Sequence, residues 1–292
     1  MTPLLKRLKL GFPVLLFLGI ACLILLAQPL RALQVKTMPS APRLGDTISV
    51  VFQVEDPTIT KPTVTLGKKT YPAFPMGANR FRSLLPTTPL DQAGALNLQV
   101  ITGAETQKLT VNLKNRSFPT QRIWLPPGKD KLGTDYEFDR VAAFKALVTP
   151  EKYWTGPFKR PNQGEITAVY GIRRYYNGVF AKDYFHRGVD YAGGTGSPIV
   201  APASGRVALI GRESQGFEIH GNTIGIDHGQ GVVSIFLHLS QINVKEGDFV
   251  QAGQRIGAVG ATGAVTGPHL HWGLYVNGLC VDPVPWREKG FE

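Results

Sequence analysis

Two histidines stand one residue apart in the stretch TGPHLHWGLY, at His269 and His271. In a β-strand, residues i and i+2 share a face, so both imidazoles would lie side by side while Leu270 turns into a core. Such a pair can bind a metal, or divide the work of ligand and base; a pair of half-exposed strand histidines fits the same pattern. A second candidate lies in FHRGVDYAGG, where His186 is followed four residues later by Asp190. Gly188, Gly193 and Gly194 disfavour a helix here, but two side chains entering a strand from a turn can still converge. Imidazole nitrogen and carboxylate oxygen both suit Zn²⁺ at about 2.0–2.2 Å. A His–Asp hydrogen bond without metal is the alternative.

Adding one histidine of His269/His271 to His186 and Asp190 gives three protein ligands. Catalytic zinc sites have three and keep the fourth position for water, whereas structural sites close all four. The metal would lower the water's pKa and polarise a substrate carbonyl. The chain has no HExxH helix to supply a glutamate base, so the base should be a spare histidine. The other member of HLH is one choice, and His238 in SIFLHLS is another. All six histidines lie in the C-terminal part of the chain, from His186 onward; the remaining two are His220 and His228. Both of these are expected to be structural, with His228 in the turn IDHG.

The elements that must hold these residues are strands. From Glu165 on, EITAVYGIRR, SPIVAPASGRVALIGR, NTIGIDHG, VVSIFLHLS, DFVQAGQRIGAVG and HLHWGLYVNG read as strands joined by tight Gly-rich turns. This predicts an antiparallel β-sheet domain over 164–286, barrel-sandwich-like in its hairpins, with a tail at 287–292. Between Leu33 and about residue 115, TISVVFQVE, PTVTLG, ALNLQVIT and QKLTVNL read as short strands separated by turn residues, which predicts an immunoglobulin-like β-sandwich. The region 116–163 reads as a Pro-rich linker with one short helix at EFDRVAAFKAL (Glu137–Leu147), capped by Asp135. The fold class expected is all-β.

Composition narrows the partners. The chain has 292 residues and a formal charge of +11. A basic surface suits an anionic partner such as a polyanionic cell wall or membrane face. No dense Lys/Arg block with interleaved aromatics occurs, so nucleic acid is not an expected partner. Cys22 lies in an apolar run, and Cys280 alone remains in the rest of the chain. This excludes a disulfide framework and a cysteine zinc site, and the context of Cys280 predicts burial. Lys6, Arg7 and Lys9 precede an apolar run over residues 10–27. Basic residues before an apolar core make residues 1–32 a signal peptide or membrane anchor. Either form puts the remainder outside the cytoplasm, in the cell envelope.

The set FHRGVDYAG, FLHLS and TGPHLHWGL, in this order, resembles the M23 family of zinc metallopeptidases, also called LytM or lysostaphin-like. The resemblance extends from about Gly164 to Trp286, through GIRR, PIVAPASGRV, GNTIGIDHG, GDFVQAGQRIG and VDPVPW. It implies an endopeptidase that cuts peptide crosslinks or stem peptides of bacterial peptidoglycan. By the same resemblance His186, Asp190 and His271 are the zinc ligands, and His238 and His269 are the catalytic pair that act on the water and the tetrahedral intermediate. Phe236-Leu237 departs from the family's usual aromatic and small residue before His238, and leaves the histidine in place. Arg173, Tyr184 and Asn222 are candidates to line the groove. The alternative in the same family is a non-catalytic activator of another wall hydrolase; such relatives typically lack metal ligands, which are all present here.

Overall fold

The computed structural model describes residues 33–103, 105–124 and 133–291. The leader or anchor expected at 1–32 lies outside the described residues. Among those described, no helix is long and apolar enough to cross a membrane.

The first eight strands form two four-stranded antiparallel sheets. In one, β1 (Val35–Met38), β2 (Thr47–Gln53), β6 (Arg80–Pro86) and β5 (Phe74–Gly77) lie in that order; in the other, β4 (Lys69–Pro72), β3 (Thr63–Leu66), β7 (Gly94–Thr102) and β8 (Glu105–Leu113). Period-2 alternation puts Ile48, Val50 and Phe52 of one sheet into the same core as Val64, Leu98, Val100 and Val111 of the other.

The C-terminal domain is built on an eight-stranded sheet. Its strands run β10 (Ile166–Ala168), β13 (Val189–Ala192), β21 (His269–Val276), β17 (Val232–Leu237), β16 (Thr223–Gly229), β15 (Gly205–Gly211) and β19 (Phe249–Val250), with β22 (Leu279–Val281) also paired to β21. A three-stranded sheet of β14 (Pro198–Val200), β20 (Arg255–Val259) and β18 (Leu239–Ile242) accompanies it. All pairs in both sheets are antiparallel. The central strands β16 and β17 are buried along their whole length. β17, VVSIFL, therefore reads as a nearly continuous apolar run and not as alternation, while β16 buries Asp227 and His228 as well.

The region expected to be a linker is structured in two places. β9 (Thr120–Ile123) adds a parallel strand to β11 (Arg173–Tyr176), which also pairs with β12 (Val179–Phe180). The helix α1 spans Asp135–Lys145, two residues earlier at each end than the periodicity indicates. Its N-cap is Thr134 and not Asp135: the Thr134 hydroxyl accepts from the Glu137 N–H at 3.1 Å. Asp135 sits in the first turn, where a negative charge meets the positive end of the helix dipole. Phe138 is exposed, and the buried positions of the helix are Glu137, Val141 and Phe144.

Of the expected tail at 287–292, the described residues 287–291 are packed against the fold. A second helix, α2 (Val284–Glu288), carries Trp286 into the core. The ring of Phe291 packs 4.5 Å from that of Trp286, and the Phe291 carbonyl accepts from Arg82 Nη1 at 2.8 Å and from Trp154 Nε1 at 3.2 Å. Arg82 belongs to β6, so this contact also joins the sandwich to the C-terminal domain. Trp286 Nε1 donating to Thr47 Oγ1 at 2.9 Å and Arg116 paired with Asp282 at 2.7 Å continue the same interface.

Candidate metal centre

The register of β13 against β21 sets Asp190 opposite His271 and Ala192 opposite His269. Cross-strand partners share a face, so pairing alone brings the carboxylate to one imidazole. Leu270 is fully buried on the opposite side. His186 arrives from the turn before β13. Its Nδ1 donates to the Val169 carbonyl at 2.8 Å, which leaves the Nε2 lone pair facing the other two groups. His186 Nε2 lies 3.1 Å from Asp190 Oδ1 and 3.1 Å from His271 Nδ1, and His271 Nδ1 lies 2.8 Å from Asp190 Oδ1. Among the described residues these three form a group able to hold a metal ion.

The donor set fits zinc. Bonds of 2.0–2.1 Å in a tetrahedral arrangement place ligand atoms about 3.3 Å apart, close to the separations seen. With the His186 proton on Nδ1, its Nε2 lone pair faces the Asp190 carboxylate oxygen 3.1 Å away, two acceptors with no proton between them; a shared cation resolves this. Burial alone would raise the Asp190 pKa, but the flanking imidazoles of His186 and His271 outweigh it and hold the carboxyl well below its ordinary value. Burial pushes His271 down to about 4 against the opposing pull of Asp190, so the ring is neutral at pH 7, the state that binds metal.

His238 and His269 stand beside this group. Their ring centroids are 4.9 Å apart, and His238 is 6.3 Å from His271. His238 follows the end of β17 with φ of 69°, a left-handed conformation uncommon for a non-glycine residue. That turn swings its side chain out of the strand's alternation. Its Nδ1 donates to the Thr262 carbonyl at 3.0 Å, and His269 Nδ1 donates to the Gly267 carbonyl at 2.9 Å. Both rings thus have Nε2 available. Burial, then the charges of His269 and His271, lower the His238 pKa to about 3 and keep it neutral.

The remaining candidates fall elsewhere. His228 is fully buried, with Nδ1 2.9 Å from the Ser204 carbonyl and Nε2 2.9 Å from Ser234 Oγ, a structural role as expected. His220 Nδ1 is 2.6 Å from Glu137 Oε1, in the loop beneath His238. Arg173 donates to the carbonyls of Tyr184 and Lys182 and so braces its own loop. Asn222 also braces, donating from Nδ2 to the Leu239 carbonyl at 3.0 Å. Cys280 is buried, as its context predicts, with its thiol donating to the Arg187 carbonyl.

Two residues of the quoted motifs, Arg174 and Gly188, acquire a role only in the tertiary structure. Arg174, on the face of β11 opposite Arg173, donates to Gln121 Oε1 at 3.1 Å and lies 3.4 and 3.5 Å from the hydroxyls of Tyr176 and Tyr184, within the field of Asp190. Burial and the neighbouring Tyr176 raise the Tyr184 hydroxyl to about 12. Gly188 packs so closely that a Cβ there would sit 2.4 Å from the Trp272 carbonyl and 2.7 Å from His271 Nε2. The glycine in HRGVD was the available signal, but only the β13–β21 approach explains it.

Comparison with known proteins agrees with this geometry. Residues 184–283 match the model of peptidase family M23. An uncharacterized metalloprotease of Haemophilus influenzae is 38% identical over 105 residues, 36% of this chain and 22% of that protein. The peptidoglycan DD-endopeptidase ShyA of Vibrio cholerae is 43% identical over 97 residues, 33% of this chain and 22% of that protein. The matches span about a fifth of the length of these curated relatives. A crystal structure of a Pseudomonas aeruginosa protein assigned to peptidase M23 superposes with a TM-score of 0.65 at 27% identity, covering 86% of this chain and 96% of that one. That likeness extends through both the sandwich and the C-terminal domain. By its matched segment, its fold and its His–Asp–His cluster, the region 184–283 is a peptidase family M23 domain.

Proposed function

We propose that this protein is a zinc-dependent endopeptidase that cuts peptide crosslinks or stem peptides of bacterial peptidoglycan. The observation that carries the reading is the convergence of His186 Nε2, Asp190 Oδ1 and His271 Nδ1 within 3.1 Å of one another, with two further imidazoles alongside. His186, Asp190 and His271 would hold the zinc, which supplies Lewis acidity and a lowered pKa for water when bound. His238 and His269 do the proton work. With Nδ1 of each ring fixed on a carbonyl, the proton of the attacking water can only be taken at Nε2. The same atom can return that proton to the leaving amine. The second ring, when protonated at Nε2, donates to the developing oxyanion. The fixed Nδ1 bonds pre-orient both rings, so little reorganisation is needed at the reacting atoms.

Peptidoglycan as substrate is supported by relatives such as the Vibrio cholerae peptidoglycan DD-endopeptidases and by the chain's positive charge, which suits a carboxylate-rich polymer. A substrate outside the cytoplasmic membrane accords with the basic and apolar leader read at 1–32 and with a cell-envelope location. The immunoglobulin-like reading of residues 33–115 rests on strand order: the first, second, sixth and fifth strands in one sheet and the fourth, third, seventh and eighth in the other.

The test is digestion of purified peptidoglycan of several chemotypes, with released fragments read by mass spectrometry. The zinc-loaded protein should create new peptide termini. His271→Ala and Asp190→Ala should lose both metal and cleavage, while His238→Ala should keep one equivalent of zinc and lose cleavage by at least about a hundredfold. Full activity in His238→Ala would remove its assigned role. Zinc bound without cleavage on any chemotype would favour the non-catalytic activator.

A further inference from the structure

We propose that Glu137, on the linker helix and outside the segment that matches the family, is a positioning residue for His238, acting through the 218–222 loop. This rests on the peptidase reading above. Glu137 is fully buried although it is a carboxylate, and a buried charge needs dedicated partners. Its Oε1 accepts from the His220 backbone N–H at 2.7 Å, from His220 Nδ1 at 2.6 Å and from the Ile219 N–H at 3.1 Å; Oε2 accepts from the Glu218 N–H at 3.1 Å. One side chain therefore fixes three successive backbone N–H groups and an imidazole.

The local sequence gives this carboxylate another use. Thr134-Asp135-Tyr136-Glu137 is a capping box, in which the glutamate would normally turn back to the backbone N–H of the cap residue. Thr134 does its half, accepting from the Glu137 N–H. The carboxylate crosses instead to the loop. Thr134 Oγ1 donates to the Gly216 carbonyl at 2.8 Å, and the Tyr136 and Phe217 rings meet edge to face at 6.1 Å. The start of the helix is thus built onto this loop.

The loop in turn holds His238 by both its handles. The His238 backbone N–H donates to the His220 carbonyl at 3.0 Å. The ring Nδ1 donates to the Thr262 carbonyl. Thr262 is tied to the same loop, accepting at Oγ1 from the Asn222 N–H at 2.9 Å, and the Ala264 N–H donates to the Ile219 carbonyl at 3.0 Å. Asn222 also accepts at its carbonyl from the Leu239 N–H at 3.0 Å. A residue at φ 69° has no regular strand to hold it, so these bonds set where its Nε2 stands. A displacement of about 1 Å at a catalytic group can cost about a hundredfold in rate.

The experiment compares wild type with Glu137→Gln and Glu137→Ala. It measures zinc stoichiometry, near-ultraviolet circular dichroism, peptidoglycan cleavage and the Nδ1–H resonance of His238 in ¹⁵N-labelled protein. Both variants should keep one zinc and the native spectrum. In Glu137→Ala, kcat should fall about tenfold to a hundredfold with KM unchanged, and the His238 Nδ1–H signal should broaden or vanish. Formate, which fits the space left among three N–H donors, should restore part of the lost rate and the signal. Glu137→Gln keeps one acceptor oxygen and should lose about tenfold; it carries the test if the alanine variant does not fold. Wild-type kcat and an unchanged His238 signal in either folded variant would overturn the proposal, as would a rate loss accompanied by loss of zinc. If the wild type cleaves no peptidoglycan, the peptidase reading fails, and the His238 resonance alone decides whether Glu137 positions it.

Discussion

Gly188→Ala separates close packing from ligand chemistry, because it removes no ligand. The glycine does not need a left-handed backbone, so alanine meets no conformational penalty there. The added methyl would lie 2.4 Å from the Trp272 backbone carbonyl, 2.7 Å from His271 Nε2 and 2.8 Å from His271 Cε1. Even a tight contact of 3.0 Å requires the Trp272 carbonyl to retreat by about 0.6 Å, which exceeds the roughly 0.5 Å tolerance of a functional constellation. Trp272 is the immediate neighbour of His271 and pairs with Val189, so β21 must part from β13 where Asp190 meets His271. A ligand shell disturbed to this degree loses about tenfold to a hundredfold in metal affinity, or about 1.4–2.8 kcal/mol. Overpacking costs about 1–3 kcal/mol of folding stability as well. Competition of the purified variant against a chromophoric zinc chelator measures the first, and urea unfolding of metal-free protein the second. Zinc affinity within twofold of wild type would show that the Gly188 contact does not set the position of His271, and the reasoning would fail.

Two further outcomes are expected. His228 takes a proton near pH 6.5 when unfolded but resists until about 4 when folded, because burial disfavours its charged form. The unfolded state therefore binds more protons between these values, and stability falls as pH drops from 6.5 towards 4, by about 3 kcal/mol in all. His228→Gln should flatten the plot of urea-derived stability against pH by up to about 1.4 kcal/mol per unit across that window; curves parallel to wild type would refute the assignment. Phe291→Ala should cost about 3 kcal/mol by loss of its packing on Trp286, and a change under about 1 kcal/mol in chemical denaturation would show the C-terminal residues to be dispensable.

Much of the site could be read before any coordinates. His269 and His271 share a face because a strand has period 2, and Leu270 had to go inside; β21 obeys both. The strand-rich character followed from short apolar runs between turn residues, and the burial of Cys280 from its apolar neighbours. Capping was misassigned at Asp135 because two residues one apart can each cap, and only the hydrogen bond to Glu137 distinguishes them. The C-terminal residues read as a tail because Phe291 finds two of its partners far away in sequence, Arg82 of β6 and Trp154 of the 116–163 region, beside Trp286 of α2.

What the chain's own order of residues determined was the inventory: a His–Asp pair, an HLH pair and His238 as groups able to hold a metal or move a proton, and the strand periodicity that aims them. Tertiary structure decided which atoms are used. His186 presents Nε2 to the cluster because Val169, 17 residues away, takes the proton of Nδ1. His238 reaches the site because a left-handed turn lifts it out of β17, held by a loop that a buried glutamate of a separate helix secures. Periodicity along a strand is local and can be read residue by residue. The partner that fixes a tautomer or a loop is set by approach through space, which no spacing in sequence records.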